Sequence, residues 1–162
     1  MARPRLYGGI GDHQQSGGGS YIEPGYHRLK IDKIVDQESR KNPGVWNYIV
    51  ETSVVSSRAL TPDAAPAHMP GDKVTWLVNL SWPSAKDNVN GFCCALANCA
   101  PKAITEEAVE ALVGANQPAR GTLIDVHAYH TPTRSGGVYT KCNWSHVAAE
   151  NNGEAAAAPA NA

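Results

Sequence analysis

The chain has 162 residues, enough for one domain with a substantial core. Its 14 Lys+Arg against 15 Asp+Glu give a formal net charge of −1, which excludes a bulk polycation and leaves nucleic-acid binding only to local clustering of charge. No window approaches the roughly 20 apolar residues of a membrane span. The opening Met-Ala-Arg-Pro-Arg lacks the apolar run of a secretory signal, so the cytoplasm is the expected compartment.

In chain order, residues 1–20 carry Gly8, Gly9, Gly11 and Gly17-Gly18-Gly19-Ser20, the composition of a flexible N-terminal arm. A first strand is expected at 25–35, where Leu29 and Ile31 alternate with Tyr26, Arg28, Lys30 and Asp32. Ile34 and Val35 break that parity and predict a bulge or bend. Gln37 to Gly44 is a loop with Asn-Pro-Gly as its turn signal. The second strand, 46–57, alternates Trp46, Tyr48, Val50, Thr52 and Val54 against Asn47, Ile49, Glu51 and Ser53. After a Pro- and Ala-rich loop, the third strand (72–80) sets Val74, Trp76, Val78 and Leu80 against Lys73, Thr75 and Asn79.

Residues 86–113 read as helical. Val89, Phe92, Cys93 and Leu96 fall at i, i+3, i+4 and i+7 on one face. A second short helix has Thr105 as N-cap, Glu106 and Glu107 where the dipole favours negative charge, and Gly114 at its end, with Val109, Leu112 and Val113 on its buried side. The last strands, 121–130 and 137–147, form a hairpin around Thr131 to Gly137. In it Ile124, Val126 and Ala128 oppose Asp125, His127 and Tyr129, and Val138, Thr140, Cys142 and Trp144 oppose Tyr139, Lys141 and Asn143. Residues 148–162 hold no large apolar side chain and read as a disordered Ala-rich tail, leaving 21–147 as the domain.

Three strands, a helical insertion and two more strands is the order of a five-stranded OB-type Greek-key barrel, mainly β, with one or two short helices between strands three and four. Two of its loops flank a face suited to single-stranded nucleic acid or oligosaccharide. The loop between strands one and two holds Arg40 and Lys41, and that between strands four and five holds Arg134. The outward face adds Arg28, Lys30, Lys73 and Lys141, with Trp46, Tyr129 and Tyr139 as candidate stacking rings. Cations neutralise phosphates and every base has a π-face, so such a groove binds single strands without sequence preference. Trp76, Trp144 and Tyr48 fall in phase with the apolar positions and read as core, while Trp82 before Pro83 stacks on a base or caps the barrel end.

Catalytic patterns are missing. Cys93, Cys94, Cys99 and Cys142 lack the C-x-x-C spacing of a zinc site and read as small buried hydrophobes. His127 and His130 fall on opposite faces of a strand, and Asp32, Asp36 and Glu38 read as a polar strand edge rather than a metal cluster. No G-x-S-x-G, P-loop or H-E-x-x-H pattern occurs, so neither an enzyme nor a cofactor is expected.

The runs Tyr21-Ile22-Glu23-Pro24-Gly25-Tyr26-His27, Ser39-Arg40-Lys41 and Asn47-Tyr48-Ile49-Val50-Glu51 resemble a group of small tailed-phage proteins. The same holds for Gly71-Asp72-Lys73-Val74-Thr75-Trp76-Leu77-Val78 and Asn88-Val89-Asn90-Gly91-Phe92. That group is similar to the OB-fold single-stranded-DNA-binding proteins of phage replication and recombination, and the likeness covers about 21–147. It implies a protein that coats single strands, with Arg40 and Lys41 facing DNA. Many such proteins end in a strongly acidic tail that recruits partners, whereas this tail has only Glu150 and Glu154. The expected partner is single-stranded DNA, with single-stranded RNA as the other nucleic acid and a homo-oligomer allowed, without a membrane. The alternative is a non-enzymatic phage structural or host-factor-binding protein that uses the same barrel for assembly.

Overall fold

The computed structural model describes residues 20–133 and 136–148. The expected arm and tail, apart from Ser20 and Ala148, lie outside the described residues, as does Arg134. The elements are β1 (Ser20–Tyr21), β2 (Gly25–Glu38), β3 (Trp46–Arg58), β4 (Lys73–Asn79), α1 (Ala85–Ala97), α2 (Glu106–Val113), β5 (Leu123–Pro132) and β6 (Val138–His146), with a 3-10 turn at Pro101–Ala103. The five long strands stand at the predicted places and form an open antiparallel sheet, ordered β4-β3-β2-β5-β6. The two-residue β1, which the alternation pattern does not announce, adds in parallel to the β4 edge. No pairing of β4 with β6 closes the sheet among the described residues.

The parity break expected at Ile34 has its origin just upstream. The β2–β3 register shifts between Arg28 and Leu29 and again between Ile31 and Lys33, leaving Val55 extra on β3 and Asp32 extra on β2. An extra residue turns the following side chains over, so Ile34 rather than Lys33 joins Leu29 and Ile31 on the buried face. β5 accompanies β2 only from Gly25 to Lys30. Ile31 is then held by the chain entering β5, donating to Thr122 O (2.8 Å) and accepting from Gly121 N–H (2.7 Å). At Ile34 a side chain takes over from backbone. Gln117 Oε1 accepts from Ile34 N–H (2.8 Å), and Gln117 Nε2 donates to Ile34 O (2.8 Å) and Gly114 O (2.9 Å).

The core lies between one face of the sheet and the helices. Leu29, Ile31, Ile34, Tyr48, Val50, Val74, Trp76, Val78, Ile124 and Val126 meet Val89 and Phe92 of α1. Phe92 packs against Trp144 (centroids 4.9 Å apart) and Trp76 (5.4 Å), and the two indoles meet edge-on at 5.0 Å. Trp76, Trp144 and Tyr48 are therefore core, as their phase requires. α1 ends where Asn98 turns left-handed (φ 55°), and α2 starts under the expected cap, with Thr105 Oγ1 accepting from Ala108 N–H (3.1 Å).

The segment after β1 is fastened from inside. Ile22 is fully buried, and Glu23 N–H donates to His68 Nε2 (3.0 Å). That bond requires His68 to be neutral, with its proton on Nδ1. His27 Nε2 donates to Glu23 O (2.8 Å), His27 Nδ1 meets Ser57 Oγ (2.8 Å), and the two imidazoles stand 5.0 Å apart. Burial lowers the pKa of both rings, and the carboxylates of Asp72 and Glu23 only partly offset this at His68.

A folded-state pKa below the ordinary value of about 6.5 means that protons bind the unfolded chain more tightly. The latch's contribution is complete above about pH 6.5 and is lost as the pH falls below it. Urea midpoints should therefore drop between pH 7.5 and 5.5, and drop less in His68→Gln, which keeps an acceptor that does not titrate. Equal pH slopes for the two proteins would refute the latch. Gln117→Ala, which strands the Ile34 peptide groups, should cost about 1–3 kcal/mol in the same assay.

Candidate nucleic-acid interface

Both helices cover the core side of the sheet, so among the described residues the other face carries no helix. Strand register fixes which side chains share it, because directly paired residues point the same way. One row runs Lys73, Ser53, Lys30 and Leu123, and the next runs Ser56, Arg28, Asp125 and Ser145. A third runs Arg58, Tyr26, His127 and Asn143, followed by the pairs Tyr129–Lys141 and Thr131–Tyr139. Lys30, Lys73, Tyr129, Tyr139 and Lys141 are thus brought to one surface.

At the centre of that face the rings form a continuous row. Tyr26 stacks on His127 (4.5 Å between centroids, 24° between planes), His127 meets Tyr129 (5.1 Å), and the Arg58 guanidinium stands 4.7 Å from the Tyr26 centroid. Burial holds the His127 pKa below the usual imidazole value, so the ring is neutral at pH 7. Tyr26, Arg58 and His127 were not among the sequence candidates. Tyr26 and His127 have outward parity on their own strands, whereas Arg58 is in phase with Val54 and reaches this face only past the extra Val55. The row becomes visible once β2 is known to lie between β3 and β5.

Two candidates take other positions. Arg28 faces outward, but it is buried and doubly paired with Asp125, Nε to Oδ1 at 2.8 Å and Nη2 to Oδ2 at 3.0 Å. Asp125 directly opposes it across β2–β5, so its charge is engaged within the sheet. Trp46 pairs with Glu38 and shares the parity of Tyr48, which puts it on the core side at the sheet's end. It remains 46% exposed there, Leu80 N–H donates to Trp46 O (2.8 Å), and Leu80 and Trp82, two residues apart in the chain, are 38% and 51% exposed. Lys73 is partly engaged, with Nζ 3.2 Å from Asp32 Oδ2 and 2.7 Å from Ser53 Oγ.

Arg40 and Lys41 are exposed on an ordered loop. Ser39 Oγ accepts from Lys41 N–H (3.2 Å) and Asn42 N–H (3.1 Å), while Glu38 Oε2 accepts from Gly44 N–H (2.7 Å). Gly44 has φ +90°, a backbone other residues rarely adopt. This loop follows β2, whereas the turn containing Arg134 follows β5, which runs the opposite way past Gly25. Arg40 and Lys41 therefore lie at the end of β2 opposite Gly25, the end past which β5 runs, while Arg134 lies outside the described residues.

Charge is unevenly distributed between the faces. Lys30, Lys33, Arg58, Lys73 and Lys141 lie on the sheet side with Asp32, Glu51 and Asp125, whereas the helical side exposes Asp87, Glu106, Glu107 and Glu110 with Lys86 and Lys102. Among the described residues no group of three or more His, Cys, Asp or Glu side chains is arranged to hold a metal. No described helix is long and apolar enough to cross a membrane. No protein-family model matches the chain, and no curated protein matches it either.

The buried guanidinium makes Asp125 a structural residue. Asp125→Ala removes the two charge-assisted bonds that Arg28 Nε and Nη2 make to its carboxylate and should lower unfolding stability by about 3 kcal/mol in urea titrations. A loss below about 1 kcal/mol would show that water reaches Arg28.

Proposed function

We propose that the helix-free face binds single-stranded nucleic acid, with single-stranded DNA as the principal ligand, and that the protein coats single strands during replication or recombination. The observation that carries this reading is the row Arg58–Tyr26–His127–Tyr129, bordered by Lys30, Lys73 and Lys141 on a face turned away from the acidic helices. Exposed cations track phosphates and flat rings accept bases of any sequence. The strand order β4-β3-β2-β5-β6 supports an OB-type barrel, because it is the order such a barrel presents when opened between its third and fifth strands. The resemblance of residues 21–147 to phage single-strand binders points the same way.

Mobility shifts with oligo-dT across a salt series test the proposal. Log affinity should fall linearly with log salt, by about 0.7 per neutralised phosphate, and Lys30→Ala and Lys141→Ala should each flatten that slope by up to this amount. Tyr129→Ala should cost about 1–3 kcal/mol of affinity. Single-stranded RNA and duplex competitors rank the ligand classes. Absence of a shift at low salt, with folded protein, would end the nucleic-acid reading.

The exposed Trp46, Leu80 and Trp82 favour a second reading, a docking patch for protein–protein assembly. In that case Trp82→Ala would abolish a partner contact that survives nuclease treatment while leaving oligo-dT affinity unchanged.

A further inference from the structure

We propose that Cys94 and Cys99 are a thiol pair that closes reversibly to a disulfide across the C-terminus of α1. All four described cysteines are free thiols, so the bond would be a modification rather than part of the fold.

The argument starts from backbone geometry. Asn98 takes the left-handed conformation, and both Asn98 N–H and Cys99 N–H end on Cys94 O, the latter at 3.1 Å. An α-carbon lies about 2.4 Å from its own carbonyl oxygen and about 1.46 Å from its own nitrogen. With the 3.1 Å hydrogen bond between them, the α-carbons of Cys94 and Cys99 are no more than about 7 Å apart. Disulfides span about 4.4–6.8 Å between α-carbons. Cys94 is the fourth residue from the end of α1 and Cys99 the second past it, positions on either side of the left-handed Asn98 whose side chains commonly touch in this helix-ending motif.

Position separates this pair from the other thiols. Cys94 and Cys99 are both half-exposed, and burial followed by the neighbouring Cys99 raises the Cys94 thiol, whereas Cys93 points into the core and burial pushes its thiol up to about 11. Cys142, also half-exposed, stands on β6, and burial pushes its thiol up to about 12. Cys94 Sγ now donates to Asn90 Oδ1 (3.1 Å), one turn back on the same helix, and rotation about one bond frees it.

The chemistry balances with a small-molecule disulfide such as oxidised glutathione. The thiolate of one cysteine attacks a glutathione sulfur and breaks the glutathione S–S bond, expelling one glutathione thiolate and leaving a mixed disulfide. The thiolate of the other cysteine attacks the protein sulfur of that bond and expels the second glutathione. Two protein thiols are oxidised, one glutathione disulfide is reduced to two thiols, and the protons lost by the protein pass to the leaving thiolates. The ring encloses only Ala95–Asn98, so its closure constrains little unfolded chain, and such a bond is of the reducible, responsive kind. It would fix the turn that leads from α1 into Pro101–Ala103. That turn borders a cavity of about 270 Å³ lined by Cys93, Leu96, Ala97, Ile104, Leu112 and Ala119.

The test treats the full folded chain with oxidised glutathione, blocks the remaining thiols, and maps the tryptic peptide Asp87–Lys102 by mass. The expected product has lost two hydrogens within this peptide, carries one blocked thiol at Cys93, and is restored by dithiothreitol. Cys93→Ser should keep the bond, whereas Cys94→Ser and Cys99→Ser should stop at the glutathione adduct. Persistent adducts on wild-type Cys94 or Cys99, a bond to Cys93 or Cys142, or four unreacted thiols would each overturn the proposal.

Discussion

The structure depends on satisfying both edges of β2. β3 follows that strand along nearly its whole length, but β5 borders only its first half. The second half must find partners elsewhere, because an unpaired buried peptide group costs about as much as a lost hydrogen bond. Thr122 and Gly121 serve Ile31, and the Gln117 amide imitates a neighbouring strand at Ile34. This arrangement lets β2 leave β5, bulge at Asp32 and continue with its apolar side chains still on the core. It also ties the chain after α2 to the sheet, which fixes where β5 begins.

Much of this was legible in local pattern, and the rest is not local. Period-two alternation located the five long strands, the 3.6 period located α1, and Thr105 marked the start of α2. The parity break was visible at Ile34, but its cause was not, because a bulge is a relation between two strands. Gln117 is a polar residue in a turn-rich stretch, and nothing in its neighbours says that it bonds Ile34. The latch joins residues 23, 27, 57 and 68, and β1 pairs across about fifty residues of chain. Such contacts carry no periodic signal.

The candidate surface divides in the same way. Lys30, Lys73, Lys141, Tyr129 and Tyr139 could be assigned to one face from parity alone. Parity could not tell that Arg28 meets an acid directly opposite, since Asp125 lies 97 residues away. Parity does put Trp46 in phase with Tyr48 on the core side, but it could not tell that at the strand end this ring stays 46% exposed. The central aromatic row needed the β3-β2-β5 order before Arg58, Tyr26 and His127 became neighbours.

A near-zero net charge hides an uneven distribution of charge. Among the described residues, cations outnumber acids on the outward face of the sheet and acids outnumber cations on the helices, so a charge moment runs across the sheet. A polyanion approaching at low ionic strength exerts a torque as well as an attraction, turning the sheet toward itself before contact. Because the Debye length is about 10 Å at 0.1 M salt, both effects fade over the salt range in which surface charges cease to sense one another.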